Sequence, residues 1–323
     1  MKPRVFVTRP LPAPALELLS SACEVRCYPK DAAIPISQLA EECREVEGIL
    51  VNSARISEEV LLVAPKLRAI SNCGVGYDNI DVAACSRRRI PITNTAGSLE
   101  ETTADLAFML LLATARRAIE ADRYVREGRW DRWQFGLLHG LDVHHKTLGL
   151  VGFGGIGKLM ARRGLGFSMR ILYHTRHRAE ESAERELHAE YADLETLLRE
   201  SDYVSLHVPL TSETRHIIDG KALGLMKSTA ILVNTARGSV VDEEALLQAL
   251  SGGKIAGAGL DVFEGEPKVN PNFARLDNVV LAPHIGSATG ETRLRMATLA
   301  VTNLIEMLAG ERPANVVNPA IYS

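Results

Sequence analysis

Along the first part of the chain, apolar residues come in short runs separated by amphipathic stretches. "RVFVT" (4–8), "CEVRCY" (23–28), "GILVN" (48–52), "LRAISNC" (67–73) and "IPITNT" (90–95) read as strands, with helix-like segments between most of them. That alternation predicts a parallel sheet covered on both faces. A long helical stretch follows over roughly 100–127 and contains "TTADLAFMLLLATARR". Its middle is apolar all round, which calls for burial between layers or against a second subunit. A second series runs through "TLGLVGFG", "RILYHT", "YVSLHV", "AILVNTA", "GAGLDVF" and "NVVLAPHIG", six strands in all. Helical patterns separate most of these, among them "DEEALLQALSGG", with acids at its start and glycine at its stop. A last helix is expected over 290–308. The closing "ERPANVVNPAIYS" has no strong pattern, and the chain is expected to return there onto the first domain.

A length of 323 residues exceeds one ordinary core and predicts two domains with a cleft between them. Hydrophobic residues at 46% and charged residues at 24% are the balance of a folded, soluble protein. Lys and Arg total 37 against 40 Asp and Glu, a formal charge of -3. No broad positive field exists to hold nucleic acid or an anionic membrane, and neither is expected as a partner. The longest strongly apolar run, 106–115, is bracketed by Asp105 and Arg116 and is far below the roughly 20 residues a bilayer demands. The N-terminal "MKPRVFVTRPLPAP" lacks the continuous apolar core of an export signal, so a cytoplasmic protein is expected. Cys23, Cys27, Cys43, Cys73 and Cys85 are odd in number and include no CxxC pair, which predicts free thiols. Neither HExxH nor a zinc-spaced Cys/His set is present, and no metal is expected.

"LGLVGFGGIGKLMARR" carries Gly152, Gly154 and Gly157 in GxGxxG order, directly after an apolar strand and before a helix. The tight turn needs Gly152, close approach of a pyrophosphate needs Gly154, and close packing of helix on sheet needs Gly157. The amides that open the helix, at Gly155 and Ile156, then face the phosphates. A NAD site usually ends its next strand with an acid that bonds the ribose 2′-hydroxyl. Here the strand ends "ILYHTRHR": Thr175 stands near the acid's place, with Arg176 and Arg178 after it. A 2′-phosphate would meet positive charge there, so NADPH is the preferred cofactor, with NADH left open. The alternative is that both arginines are solvated surface residues.

Three successive strands of the second series end in chemically pointed residues: Arg237 after "ILVNTA", Glu266 after "GLDVFEG", and His284 within "VVLAPH". In a parallel sheet those carboxyl ends share one edge, where ligands of such folds bind. Hydride transfer to a keto group leaves negative charge on oxygen, which needs a proton donor and a cation. His284 supplies the proton in this reading, Glu266 holds its ring and favours the charged form, and Arg237 forks onto a carboxylate or keto oxygen. Taken singly, each of the three could instead be structural.

With these residues in view, the chain resembles the D-isomer-specific 2-hydroxyacid dehydrogenase family over nearly its whole length. The resemblance is carried by "GVGYDNID" (74–81), "TTADLAFMLLLATAR" (102–116), "GFGGIG" (152–157), "HVPLTSETRHII" (207–218), "LVNTARGSVVDEEAL" (232–246), "GLDVFEGEP" (259–267) and "PHIGSAT" (283–289). It implies an α/β fold of two doubly wound parallel-sheet domains: a Rossmann cofactor domain over 99–289 and a flavodoxin-like substrate domain made from 1–98 and 290–323. It implies Arg237, Glu266 and His284 in the roles just given, with the backbone at Val75 and Gly76 receiving the substrate carboxylate. Thr103, Thr235 and Asp261 are implied near the nicotinamide end and Pro209 near the adenine, with Ala236 and Gly286 as further cofactor contacts. A homodimer built through the cofactor domains is implied as well.

"YHTRHR", "DVHHKTLG" and "HIGSATGETRLRMA" are most similar to the glyoxylate/hydroxypyruvate reductase branch, including members that reduce 2-ketogluconate. Some of these relatives use a tryptophan before the "KTLG" strand to choose substrate; Leu137 aligns there, with Trp130 and Trp133 upstream. The expected activity is NADPH-preferring reduction of small 2-keto acids, glyoxylate and hydroxypyruvate first, to (R)-2-hydroxy acids. Reduction of 2-ketogluconate is the alternative within the family, and a cofactor-sensing binding protein the alternative outside it.

Overall fold

The apolar runs form parallel strands wherever helices cover both of their faces. The computed structural model describes residues 1–322, and the chain divides into two compact units. One holds Met1–Leu99 and the chain from Ser287 onward; the other is Glu100–Gly286.

The first unit is built on β1 (Arg4–Val7), β2 (Glu24–Cys27), β3 (Gly48–Val51), β4 (Ala69–Asn72) and β5 (Ile92–Thr93). Their order is β2-β1-β3-β4-β5 with every pairing parallel, a flavodoxin-like sheet. Every residue of β3 and β4 is buried. Leu39, Val60, Leu61 and Ala84, from three short helices, cover one face. Ala15 and Leu19 from Ala13–Ala22, with Ala297, Ala300, Val301 and Leu304 from Gly290–Leu308, cover the other. Beyond that last helix the chain runs back along β5: Val316 pairs with Thr93, and the Asn318 side chain accepts from the Ile92 amide and donates to the Ile90 carbonyl.

The second unit holds β6 (Thr147–Val151), β7 (Arg170–His174), β8 (Ala189–Tyr191), β9 (Tyr203–Leu206), β10 (Ile231–Asn234), β11 (Gly257–Leu260) and β12 (Val279–Leu281). Their order, β12-β11-β10-β9-β6-β7-β8, puts β6 and β9 side by side where the winding direction reverses. That is the Rossmann arrangement, whose ligands bind at the carboxyl ends beside this reversal. The helix Glu100–Ala115 lies against β11 because Gly257 and Gly259 leave room. A Cβ at either would come within 2.9 Å of Thr114 or Leu110.

Two details differ from the sequence reading. The second sheet has a seventh strand, β8: only Ala189 of its three residues is buried, so it carries no apolar run. The helical stretch expected over 100–127 is two helices, Glu100–Ala115 and Ala118–Arg126. Arg117 takes a left-handed conformation (φ 53°) between them and pairs with Glu120, ending the buried helix as its apolar residues run out. Among the described residues no helix is long and apolar enough to cross a membrane.

Candidate active site

The glycine turn follows β6 directly. Gly152 has φ 101°, a conformation only glycine adopts without strain, and a Cβ there would meet the His207 carbonyl oxygen at 2.5 Å. A Cβ at Gly157 would sit 2.2 Å from the Gly152 carbonyl oxygen. Gly154, by contrast, looks into open space, with nothing within 4 Å of a Cβ placed on it. The helix Gly155–Leu165 starts there, with Ile156 packed on the core.

At the end of β7 the Thr175 hydroxyl donates to the His177 carbonyl at 2.5 Å. Arg176 is exposed. The Arg178 guanidinium is paired on Glu184 through two bonds of 2.8 and 2.9 Å. Glu184 also accepts from the Tyr173 hydroxyl, and the two donors, Arg178 first, hold its carboxyl below the ordinary range. Of the two arginines, Arg176 is the one without a carboxylate bound to it here. Sequence reading missed Glu184 because the pairing spans a loop that local pattern does not fix. Pro209 is exposed, and its carbonyl accepts from Thr214.

β10, β11 and β12 are neighbours, and the segments leaving them converge. The Asn234 side chain shapes the turn after β10, accepting from the Ala236 amide at 3.0 Å and donating to the Arg237 carbonyl at 2.9 Å. Arg237 in turn donates to the Ala236 carbonyl at 2.8 Å. The next residue must be glycine, since a Cβ at Gly238 would fall 1.9 Å from the carbonyl carbon of Phe263. His284 Nδ1 donates to Glu266 Oε2 at 2.7 Å, and the other carboxylate oxygen accepts from the Phe263 amide at 2.8 Å. Burial would push the Glu266 carboxyl up, but the His284 and Phe263 donors, with the charges of His284 and Arg237, hold it below its usual range. His284 and Glu266 therefore meet, and the charge of Arg237 reaches their pair.

Below them, Asp261 is buried and its carboxylate accepts from the amides of Ile285 and Gly286 at 2.7 and 2.8 Å, fixing the segment that carries His284. Burial still leaves its carboxyl raised. Gly286 brings Thr103 close as well, with 3.3 Å from a Cβ there to the threonine methyl. Val75 and Gly76 lie in the first unit, on the loop after β4. Beside them burial pushes the Cys73 thiol up to about 11, so it stays protonated at neutral pH. All five cysteines are free.

Residues 108–286 match the family described as D-isomer specific 2-hydroxyacid dehydrogenase, NAD binding domain. The chain is 51% identical to a glyoxylate reductase of Thermococcus litoralis, over 100% of this chain and 99% of that one. Among solved structures it is similar to a glyoxylate reductase from Paecilomyes thermophila (34% identity, TM-score 0.90, 99% of each chain). It is also similar to an NADPH-dependent glyoxylate/hydroxypyruvate reductase from Sinorhizobium meliloti in complex with NADP and malonate (35%, TM-score 0.88, 98% and 97%). The chain belongs to the D-isomer-specific 2-hydroxyacid dehydrogenase family.

A dinucleotide fits this member of the oxidoreductase family on two observations. The turn over 152–157 has a backbone that added side chains would fill, and the Thr235 hydroxyl is buried without a partner at the end of β10. A further residue escaped the sequence reading. Glu264 accepts from Arg215 at 2.8 Å, His216 at 3.3 Å and the Ser239 hydroxyl at 3.2 Å, tying the Glu266 segment to the one that follows Arg237. The only signal for it was a second acid in "FEGEP".

Proposed function

We propose that this dehydrogenase reduces small 2-keto acids, glyoxylate and hydroxypyruvate foremost, to (R)-2-hydroxy acids, using NADPH in preference to NADH. The observation that carries the reading is the 2.7 Å bond from His284 Nδ1 to Glu266. With Nδ1–H committed to the carboxylate, Nε2 is the ring position that carries a transferable proton. The nicotinamide, when bound, supplies hydride to the keto carbon. His284 gives its Nε2 proton to the keto oxygen, and the Arg237 guanidinium stabilises the charge growing there. Glu266 keeps the ring aimed and offsets its positive charge; solvent returns the proton after turnover. The amides of Val75 and Gly76 receive the substrate carboxylate, Thr103, Thr235 and Asp261 hold the nicotinamide end, and Ala236 and Gly286 add further contacts to the cofactor.

Cofactor preference is supported by the absence of an acid at Thr175 and by exposed Arg176 next to it. The substrate reading is supported by the printed activities of relatives such as that of Thermococcus litoralis. We further propose a cytoplasmic homodimer formed through the cofactor units, which light scattering of the purified protein tests. For the activity, the protein is mixed with NADPH or NADH and with glyoxylate, hydroxypyruvate or 2-ketogluconate. Loss of nicotinamide absorbance, fastest with NADPH and one of the first two acids, is the expected result. A flat trace with every acid would leave a sensor, and fastest turnover of 2-ketogluconate would move the substrate assignment.

A further inference from the structure

We propose that Asn72 and Asn94 are positioning residues for the substrate carboxylate, aiming the main-chain amides of the loop over residues 74–77. The inference rests on the reading above, in which Val75 and Gly76 receive that carboxylate. All of the bonds involved lie within the first unit.

Each carbonyl of the three-residue "GVG" segment is already taken by a donor from the body of the unit. The Gly74 oxygen accepts from Asn72 Nδ2 at 3.0 Å and from the Thr95 amide at 3.1 Å. The Val75 oxygen accepts from Asn94 Nδ2 at 3.0 Å. The Gly76 oxygen accepts from the same Asn72 Nδ2 at 2.8 Å. In a trans peptide the N–H points opposite to the C=O of the same plane, and no cis bond occurs here. Turning three successive carbonyls toward the unit therefore turns the amides of Val75, Gly76 and Tyr77 away from it. Among the described residues these three amides donate to nothing. The loop itself is partly exposed. Three unpaired N–H groups on one loop, all turned away from the body of the unit, can hold an anion without a cation.

The two asparagines are themselves fixed. Asn72 ends β4, and only 3% of its surface is exposed, so its side-chain amide has no alternative in water. Asn94 leaves β5 and is held from three sides. Its amide donates to the Asn315 carbonyl at 3.2 Å, its carbonyl accepts from Asn303 Nδ2 at 3.2 Å, and its side-chain oxygen accepts from the Ala96 amide at 3.2 Å. An aspartate at position 72 would be of the same shape but would lack the donor, and its charge would oppose both the carbonyls and an incoming acid.

The test uses full-length Asn72→Ala and Asn94→Ala proteins, with thermal melts to establish that each is folded. Loss of a buried donor at this level corresponds to about a tenfold to hundredfold change in an equilibrium. The glyoxylate KM should rise about that much in Asn72→Ala and less in Asn94→Ala, while the NADPH Kd, read by fluorescence, stays within about twofold of the parent. Oxamate, a carboxylate that is not reduced, should lose affinity in parallel in calorimetric titrations. A folded Asn72→Ala with parental glyoxylate KM overturns the proposal. So does equal loss of NADPH and keto-acid binding, which a merely structural role would give. If Asn72→Ala does not fold, an unchanged glyoxylate KM in folded Asn94→Ala is the overturning result. If the parent turns over no keto acid, the proposed function fails, but oxamate binding that weakens in the asparagine variants still supports the amide site.

Discussion

Two glycine-bearing loops leave the carboxyl ends of parallel strands in this protein, one after β6 and one after β4, and they present main-chain amides by different means. After β6 the aim comes from the helix Gly155–Leu165, whose first turn leaves its N–H groups unpaired, and glycine is required by steric closeness at Gly152 and Gly157. After β4 no helix follows at once, and little is crowded at the first glycine: a Cβ at Gly74 would find its nearest neighbour, Asn72 Nδ2, at 3.5 Å. The aim there comes from side-chain amides that hold the carbonyls. The first device is thus intolerant of added volume and the second of lost donors.

Gly157→Val strikes the first device hardest. Its Cβ would sit 2.2 Å from the Gly152 carbonyl oxygen, so helix and turn must part. We expect NADPH affinity to fall roughly a hundredfold or more, as overpacking of about 1–3 kcal/mol adds to the lost phosphate cradle. Fluorescence titration reads this, and tight binding in the variant would break the contrast. Next in size is Arg176→Asp, which should raise the NADPH KM about tenfold to a hundredfold, the usual worth of a hydrogen bond to a charged group. The NADH KM should change far less; equal effects on both cofactors would return Arg176 to the solvated surface.

Glu266→Gln asks whether a side-chain ion pair obeys the same logic of held partners. Because the native carboxyl titrates below its ordinary value, the stabilisation it provides is full above that value and is lost as pH falls through the lower native one. Melts across pH 3–7 should show the parent ahead of Glu266→Gln near neutrality and the gap closing toward the acid end. A gap that is constant with pH would refute the pairing. The smallest effect belongs to Gly74→Ala. An ordinary van der Waals contact at 3.5 Å predicts less than about a threefold change in glyoxylate KM, in contrast to the loss at Gly157.

The same contrast explains what the sequence made legible. GxGxxG is written in six consecutive residues because the strand, turn and helix that use it are consecutive. Arg237, Glu266 and His284 could be brought together on paper because each lies on the segment leaving a strand and neighbouring strands of one parallel sheet share an edge. Asn72 and Asn94 carried no comparable signal: an asparagine at a strand end is ordinary, and its partner carbonyls become visible only when β4 and β5 lie side by side. Arg178 shows the converse case. Read locally it was a free cation, but folding delivers Glu184 and Tyr173 to it. β8 escaped because an edge strand of three residues with one buried side chain has no period to detect.

The bonds from Asn303 and Asn315 to Asn94 have a temporal meaning. Asn303 and Asn315 both follow the second unit in the chain, so during synthesis that unit can acquire its glycine turn before Asn94 has these two supports. A nascent chain stopped before Asn303 would hold the GxGxxG turn complete while Asn94, and with it the loop after β4, still lacked both bonds.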